Sequence, residues 1–504
     1  MSTAAAKAEL TKLGLFRAYW LGTVACIGGF LFGYDSGIVG STITLASFVD
    51  DFRYGAGDAT RVNSVTVGIQ QAGALVGCFL VWPLTHHWGR RGAIVICSFV
   101  FCIGALIQTI NTHSLPAFYV GRVVAGLGLG GSSVIVPMFT AEMAPKEIRG
   151  RLASFYQLMY TVGIFLSYWV VYGVSKNMAP STRQWQISIG LQLIPAGLLG
   201  LGMLTVKESA RWLMRKGRRD EAWASLQWVR ADSSQAARDE LLEIENNVED
   251  EKRATQGLTV IELLEWNNLK RFLIAAGVFL CQQSVGSTAL AYYGPQFFKL
   301  LVGPGDNNIL LSGIFGAVKI VACGLFVFVF AERMGRKVAL AGGALAMSAC
   351  MVTIAAVVKT KPPPGGGVVT SSGIATIALL YIDIMIYNFS WGPLPWAQVT
   401  ELFSPRIREI GMGVGVGSQW LFNFVYSFSV SYMIDGIGWG TFLLFGIFDI
   451  FIALFTIVVL KETRGLSMEE VDRLYFSGKT PERPRSPSVS KDSIDRGTES
   501  ETGK

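Results

Sequence analysis

Apolar residues in this chain gather into runs too long for a soluble core, parted mostly by short polar breaks. Twelve runs stand out, at about 18–40, 64–85, 92–110, 117–140, 152–174, 187–205, 271–298, 309–330, 337–358, 373–398, 411–432 and 439–460. About 20 apolar helical residues cross the roughly 30 Å of hydrocarbon in a bilayer, so each run predicts one membrane-spanning helix. The expected fold is an all-α membrane protein of twelve transmembrane helices in two six-helix halves. Its expected parts are an N-terminus (1–17), a first half (18–205), a helical linker (206–270), a second half (271–460) and a tail (461–504). In the linker, Ala222, Leu226 and Val229, then Leu241, Leu242 and Ile244, recur at helical spacing, which predicts short amphipathic helices. The stretch from Lys361 to Gly367 reads as a stiff, then flexible, loop, and the tail after Lys479 is too polar to build a core.

The two halves repeat one another. His87-Trp88-Gly89-Arg90-Arg91 returns as Arg333-Met334-Gly335-Arg336-Lys337, Glu142 to Arg149 as Glu401 to Arg408, and Lys207-Glu208-Ser209 as Lys461-Glu462-Thr463, all at nearly the same offset. A duplicated six-helix unit with a binding site at the interface of its copies is a transporter arrangement, in which one half rocks on the other. Basic residues follow even-numbered runs, as at Arg90 and Arg91, Lys146 to Arg151, and Arg406 with Arg408. Positive loops face the cytoplasm, so both termini and the linker are expected there, with no cleavable leader before the first run.

Composition narrows the classes further. The chain is 51% hydrophobic and only 16% charged, against about a quarter charged in soluble proteins. Its net charge of +7 is sorted by loop and gives no nucleic-acid signal. All seven cysteines lie inside apolar runs, and there are only three histidines. Neither a disulfide framework nor a metal or cofactor site is expected, and no nucleophile–base set points to an enzyme. The expected partners are a small molecule, a proton and the bilayer, with the chain acting as a monomer.

Candidate chemistry sits where hydrocarbon should be. The segment Cys281 to Pro295 continues an apolar run, yet carries Gln282, Gln283, Thr288, Tyr292 and Tyr293. Amides and hydroxyls cannot face lipid without partners, so they bond a neighbouring helix or line a wet site. Two adjacent amides offer donors and acceptors together, which suits a neutral polyhydroxylated ligand. The broken helix Trp391-Gly392-Pro393-Leu394-Pro395-Trp396 adds indole faces, as do Gln419, Trp420 and Asn423 with amide and indole chemistry, and Gln157 from the first half. Tryptophans near span ends also form interfacial belts.

Charge inside spans is costly and marks function by default. Asp35 in the first run and Arg122 at the head of the fourth suggest a proton-coupling pair, or a static ion pair. Lys319, Asp383 and Asp449 lie within runs eight, ten and twelve; Lys319 would pair with Asp383 or meet an acidic substrate, or the lysine and aspartates would find water or backbone. Arg90, Arg91, Glu142, Arg149, Glu208 and Arg211, with Glu332, Arg336, Glu401, Arg408 and Glu462, fall at cytoplasmic span ends. They read as a gate network or as topology signals.

These residues together resemble the sugar-porter family of the major facilitator superfamily, and its fungal members in particular, over about 20–475. The motifs are Gly33-Tyr34-Asp35, Gly89-Arg90-Arg91, Pro137 to Glu142 with Arg149-Gly150, Gln282-Gln283 with Tyr292-Tyr293, Trp391-Gly392-Pro393 and Glu462-Thr463-Arg464-Gly465. The resemblance implies that Gln157, Gln282, Gln283, Thr288, Trp391, Trp396, Gln419 and Trp420 contact sugar. It also implies that Asp35 and Arg122 couple uptake to protons at the plasma membrane. Departures are Thr288 for the family's asparagine, Ile164 for a second glutamine, His86-His87 for an acid–arginine pair, and Lys207, Ala210 and Lys461 for prolines. Monosaccharide–proton symport is therefore expected, with a quinate or sugar-acid carrier, a passive uniporter and a nutrient sensor as alternatives.

Overall fold

In the computed structural model, residues 11–55, 57–110, 112–305, 307–330, 335–363, 370–404, 406–463, 470–471 and 475 are described. Glu332, Arg333, Met334, the loop glycines Gly365 to Gly367, Arg464, Gly465 and the tail after Lys479 lie outside the described residues. Every regular element among the described residues is helical.

The first half comprises α1 (Lys12–Thr42), α2 (Ala46–Phe52), α3 (Ala59–Thr109), α4 (Leu115–Met143), α5 (Arg149–Asn177), α6 (Thr182–Gly190) and α7 (Leu193–Leu204). The expected linker helices follow as α8 (Ala210–Arg215), α9 (Arg219–Arg230), α10 (Gln235–Thr255) and α11 (Val260–Leu264). They bury their own small core, with Trp212, Leu213, Leu226 and Leu241 at its centre. The second half comprises α12 (Trp266–Ser284), α13 (Ser287–Val302), α14 (Asn307–Leu325) with a π-helical turn at Phe326–Phe330, and α15 (Arg336–Thr360). It closes with α16 (Ser371–Phe389), α17 (Leu394–Leu402), α18 (Arg408–Ile437) and α19 (Gly440–Val459).

Ten helical units among the described residues are long and apolar enough to cross a membrane. The twelve apolar runs map onto them with two adjustments. Runs two and three share the 51-residue α3, which folds back at Gly89 with φ 80°. A side chain there would meet both a forbidden backbone angle and the Glu208 carboxylate packed against it. Run eleven is α18, a 30-residue helix whose glycines, serines and amides make it less apolar than the rest. Large apolar side chains such as Leu201, Phe451 and Val458 stay more than half exposed on the outside of the bundle, as a lipid-facing surface requires.

Close helix approach brings the halves together. Gly40 on α1 lies directly against the Tyr292 carbonyl on α13, in space no side chain could share. Near the same end, away from the linker, the Tyr293 hydroxyl donates to the Ser427 carbonyl at 2.6 Å and approaches that of Asn63 at 3.4 Å. Ser64 bonds the Phe428 carbonyl and Thr60 bonds Asp435 across the halves. The bundle is closed at this end.

Candidate functional site

Run seven breaks in the middle. Helix α12 stops at Ser284, Gly286 takes φ 87°, and α13 kinks again at Tyr293, one residue ahead of Gly294-Pro295. Gln282 and Gln283 end the first segment, both buried. Gln282 Nε2 donates to the carbonyls of Trp391 (3.0 Å) and Gly392 (3.1 Å), where α16 gives way to α17. One break thus satisfies the carbonyls freed by the other. The side-chain oxygens of Gln282, Gln283 and Asn423 are buried without a hydrogen-bond partner. Buried polar atoms are nearly always paired; among the described residues these three oxygens share their unpaired state with the side-chain amides of Gln71, Gln192 and Gln296.

Around them lies a cluster of phenols. Asn423 Nδ2 reaches the Tyr292 hydroxyl at 3.4 Å, and Tyr292 faces Ser36 of α1 and Tyr160 of α5. Tyr160 also faces Tyr387 of α16, whose hydroxyl is approached by Thr288. Six helices contribute to this centre, α1 and α5 from the first half and α13, α14, α16 and α18 from the second. From α14, buried Lys319 projects its Nζ toward the rings of Tyr160 (5.6 Å), Tyr387 (5.8 Å) and Phe315 (5.9 Å). The expected Lys319–Asp383 pair is not formed: both Asp383 carboxylate oxygens are without partners, as are those of Asp449. Burial among aromatic faces, not an acid, surrounds this lysine.

The tryptophans divide into two kinds. Trp391 is fully buried and its Nε1 donates to the Leu340 carbonyl at 2.9 Å, which anchors the break of α16 to α15. Trp420 instead joins the halves, with Nε1 3.2 Å from Ser133 Oγ of α4 and its ring 5.3 Å from that of Phe32. Trp396 stands edge-on to Phe279 at 5.0 Å and packs against the cores of both halves. Gln419 is buried beside Trp420, and Gln157 is half-buried one turn from Tyr160 on α5.

Asp35 and Arg122 meet as expected. Arg122 Nη1 lies 3.1 Å from Asp35 Oδ1, and both side chains are 1% exposed. Gln70 Nε2 donates to the other carboxylate oxygen at 2.6 Å, and Arg122 Nε to the Thr66 carbonyl at 2.9 Å. Gln70 and the Thr66 carbonyl, both on α3, close the shell of this pair.

At the linker end, each half holds its own charge cluster. Arg90 pairs with Glu142 at 3.1 Å, while Glu208 accepts backbone N–H bonds from Arg90, Arg91 and Ser209. Burial pushes the Glu208 carboxyl above its ordinary value despite these donors. Arg91 caps α7 through the Met203 and Leu204 carbonyls, and Arg149 holds that of Ala144. The second half repeats the design: Arg336 pairs with Glu401, and Glu462 accepts from the Arg336 and Lys337 backbones at 3.0 Å. Between the clusters sits Glu251 of α10. It binds Arg211 (3.0 Å) and Arg215 (2.7 Å) and lies beside Arg408, while Arg215 also binds Glu409 at 2.7 Å.

Sequence reasoning missed Gln70, Ser133, Tyr160 and Tyr387. The available signal for Gln70 was an amide inside an apolar run, which must find a polar partner; tyrosines inside apolar runs carry none, because they read equally as core.

Comparison with known proteins bears on the whole chain. The family model described as "Sugar (and other) transporter" matches residues 21–475. A probable quinate permease of Aspergillus terreus is 35% identical over 91% of this chain and 87% of its own. The quinate permease of Emericella nidulans is 34% identical over 91% and 89%. Among solved structures, the proton:xylose symporter XylE bound to 6-bromo-6-deoxy-D-glucose superposes with a TM-score of 0.75 at 26% identity, covering 92% of this chain and 100% of that one. An inward-open form of the E. coli xylose transporter gives the same TM-score at 25% identity, with 91% and 100% covered.

Proposed function

The chain belongs to the sugar (and other) transporter family, and on that premise we propose that it carries a small polyhydroxylated ring into the cell together with a proton. It is a multi-pass membrane transporter of the sugar-porter type; the substrate, the coupling and the plasma-membrane site with cytoplasmic termini are our reading. The observation that carries it is the set of orphaned amide oxygens of Gln282, Gln283 and Asn423 at the junction of the halves. Ring hydroxyls would donate to these oxygens, with Gln157, Thr288, Tyr292 and Gln419 completing the wall and Trp391, Trp396 and Trp420 bounding it.

The buried Asp35–Arg122 pair supports coupling. A proton reaching Asp35 from outside removes the carboxylate charge that holds Arg122, so the contact between α1 and α4 loosens and the loaded halves rock. Loss of the proton to the cytoplasm restores the pair. Arg90, Arg91, Glu142, Arg149, Glu208 and Arg211, with Glu332, Arg336, Glu401, Arg408 and Glu462, then act at the inner face. In the outer-closed arrangement Arg90–Glu142 and Arg336–Glu401 are satisfied within their own halves, and inner closure would trade part of these bonds for contacts across them. Glu251 already meets Arg211, Arg215 and the vicinity of Arg408, which supports a hinge there.

A second reading, uptake of quinate or a sugar acid, is favoured by the two permease relatives and by the buried Lys319. The test is an uptake panel in yeast lacking its hexose carriers, covering hexoses, pentoses, rhamnose, galacturonate and quinate with and without a protonophore. Protonophore-sensitive uptake of at least one compound is expected; uptake of none, with the protein at the cell surface, would overturn the proposal.

A further inference from the structure

Lys319 carries a charge that the proposed cycle leaves unused. It sits on α14, 2% exposed, inside the phenol cluster in which Tyr160 faces Tyr292, the partner of Asn423. Its Nζ faces the rings of Tyr160, Tyr387 and Phe315, each within 6 Å. Aromatic faces return only part of the hydration an ammonium loses on burial. The acid nearest in expectation, Asp383, does not supply the rest. Arg122 shows what completion looks like in the same molecule: a carboxylate, with a carbonyl to take a further N–H. If Lys319 were only a packing residue, an unbranched apolar side chain would fill the same space without that desolvation cost.

We propose that Lys319 reads a carboxylate on the substrate, so that the pocket takes a polyhydroxylated monocarboxylate in preference to a neutral sugar. This rests on the reading that the amide pocket is the substrate site. The acid group sits against Nζ among Tyr160 and Tyr387, with Thr288 beside it, while the ring hydroxyls meet the amide oxygens of Gln282 and Gln283. The charged ends neutralise one another inside low dielectric, where a charge-assisted bond is strongest.

The test uses the full chain in transport-deficient yeast, with labelled quinate as probe and quinate, its methyl ester and xylose as competitors. For the wild type, quinate is expected to compete at a concentration at least about tenfold below that of its ester. Lys319→Met should erase that difference while the protein still reaches the surface, and Lys319→Arg should keep most of it. A wild type that accepts ester and acid alike, or a Lys319→Met protein that still discriminates, would overturn the proposal. If Lys319→Met fails to reach the membrane, the wild-type comparison of acid with ester still decides. A wild type that moves xylose but ignores quinate sinks the role of Lys319 and leaves the transport reading standing; one that moves neither sugars nor acids sinks the transport reading itself.

Discussion

The two most deeply buried cations among the described residues, Arg122 and Lys319, are housed in opposite ways. Arg122 in the first half finds a carboxylate at 3.1 Å and a backbone carbonyl at 2.9 Å, and the carboxylate has Gln70 as a second donor. Lys319 in the second half has three aromatic faces. In the first region the ion pair itself finds its partners within the protein. The second is short of polar partners, as are the amide oxygens of Gln282, Gln283 and Asn423 near it. On the proposed function, the first region serves as a switch that resets itself and the second as a surface that a ligand completes.

The sharpest way to break this contrast is to remove each cation in turn. Arg122→Leu strands the Asp35 charge in the bundle and should cost about 3–5 kcal/mol, read as a large drop in the melting temperature of detergent-solubilised protein. Lys319→Met strands nothing and should leave the melting temperature unchanged or raised; equal losses in the two would dissolve the distinction. Next in size, Gln282→Ala removes the donor to the Trp391 and Gly392 carbonyls. At about 1–3 kcal/mol for buried groups left unpaired, the half-saturation concentration should rise by roughly fivefold to 150-fold. Trp420→Phe keeps the ring against Phe32 but loses the bond to Ser133. About 1 kcal/mol, a several-fold weakening of uptake, is expected. Smallest is Lys146→Ala, whose ion pair with Glu243 is more than half exposed on both sides. It should shift stability by less than about 0.5 kcal/mol.

Much of this architecture is written in hydropathy and repetition. Twelve apolar runs, a polar linker and three repeated motifs are properties of the chain read in one dimension, and they foretell the two halves directly. The Asp35–Arg122 contact was equally legible, because a charge in hydrocarbon must find its opposite. What escaped depended on direction. Tyr160 and Tyr387 occupy positions where an apolar run accepts any aromatic, and only the crossing of α5 with α14 and α16 turns their rings onto Lys319. The anchoring of Trp391 was equally hidden: the chain reversal at Ser390, with φ −132° and ψ −86°, brings its N–H to the Leu340 carbonyl. Lys319 and Asp383 looked like partners because both are charges within spans. They do not pair; the hydropathy of a span says that a charge is inside it but not which way that charge points.

The central claim is that a filled amide pocket moves only with a proton on Asp35. Its most direct test is uptake of the preferred substrate into vesicles reconstituted with purified protein, under an imposed pH gradient and without one. The wild type should concentrate substrate when the outside is acidic and merely equilibrate when the gradient is absent. Asp35→Asn should equilibrate under both conditions. Gradient-driven accumulation by Asp35→Asn, or a wild type indifferent to the gradient, would contradict the account.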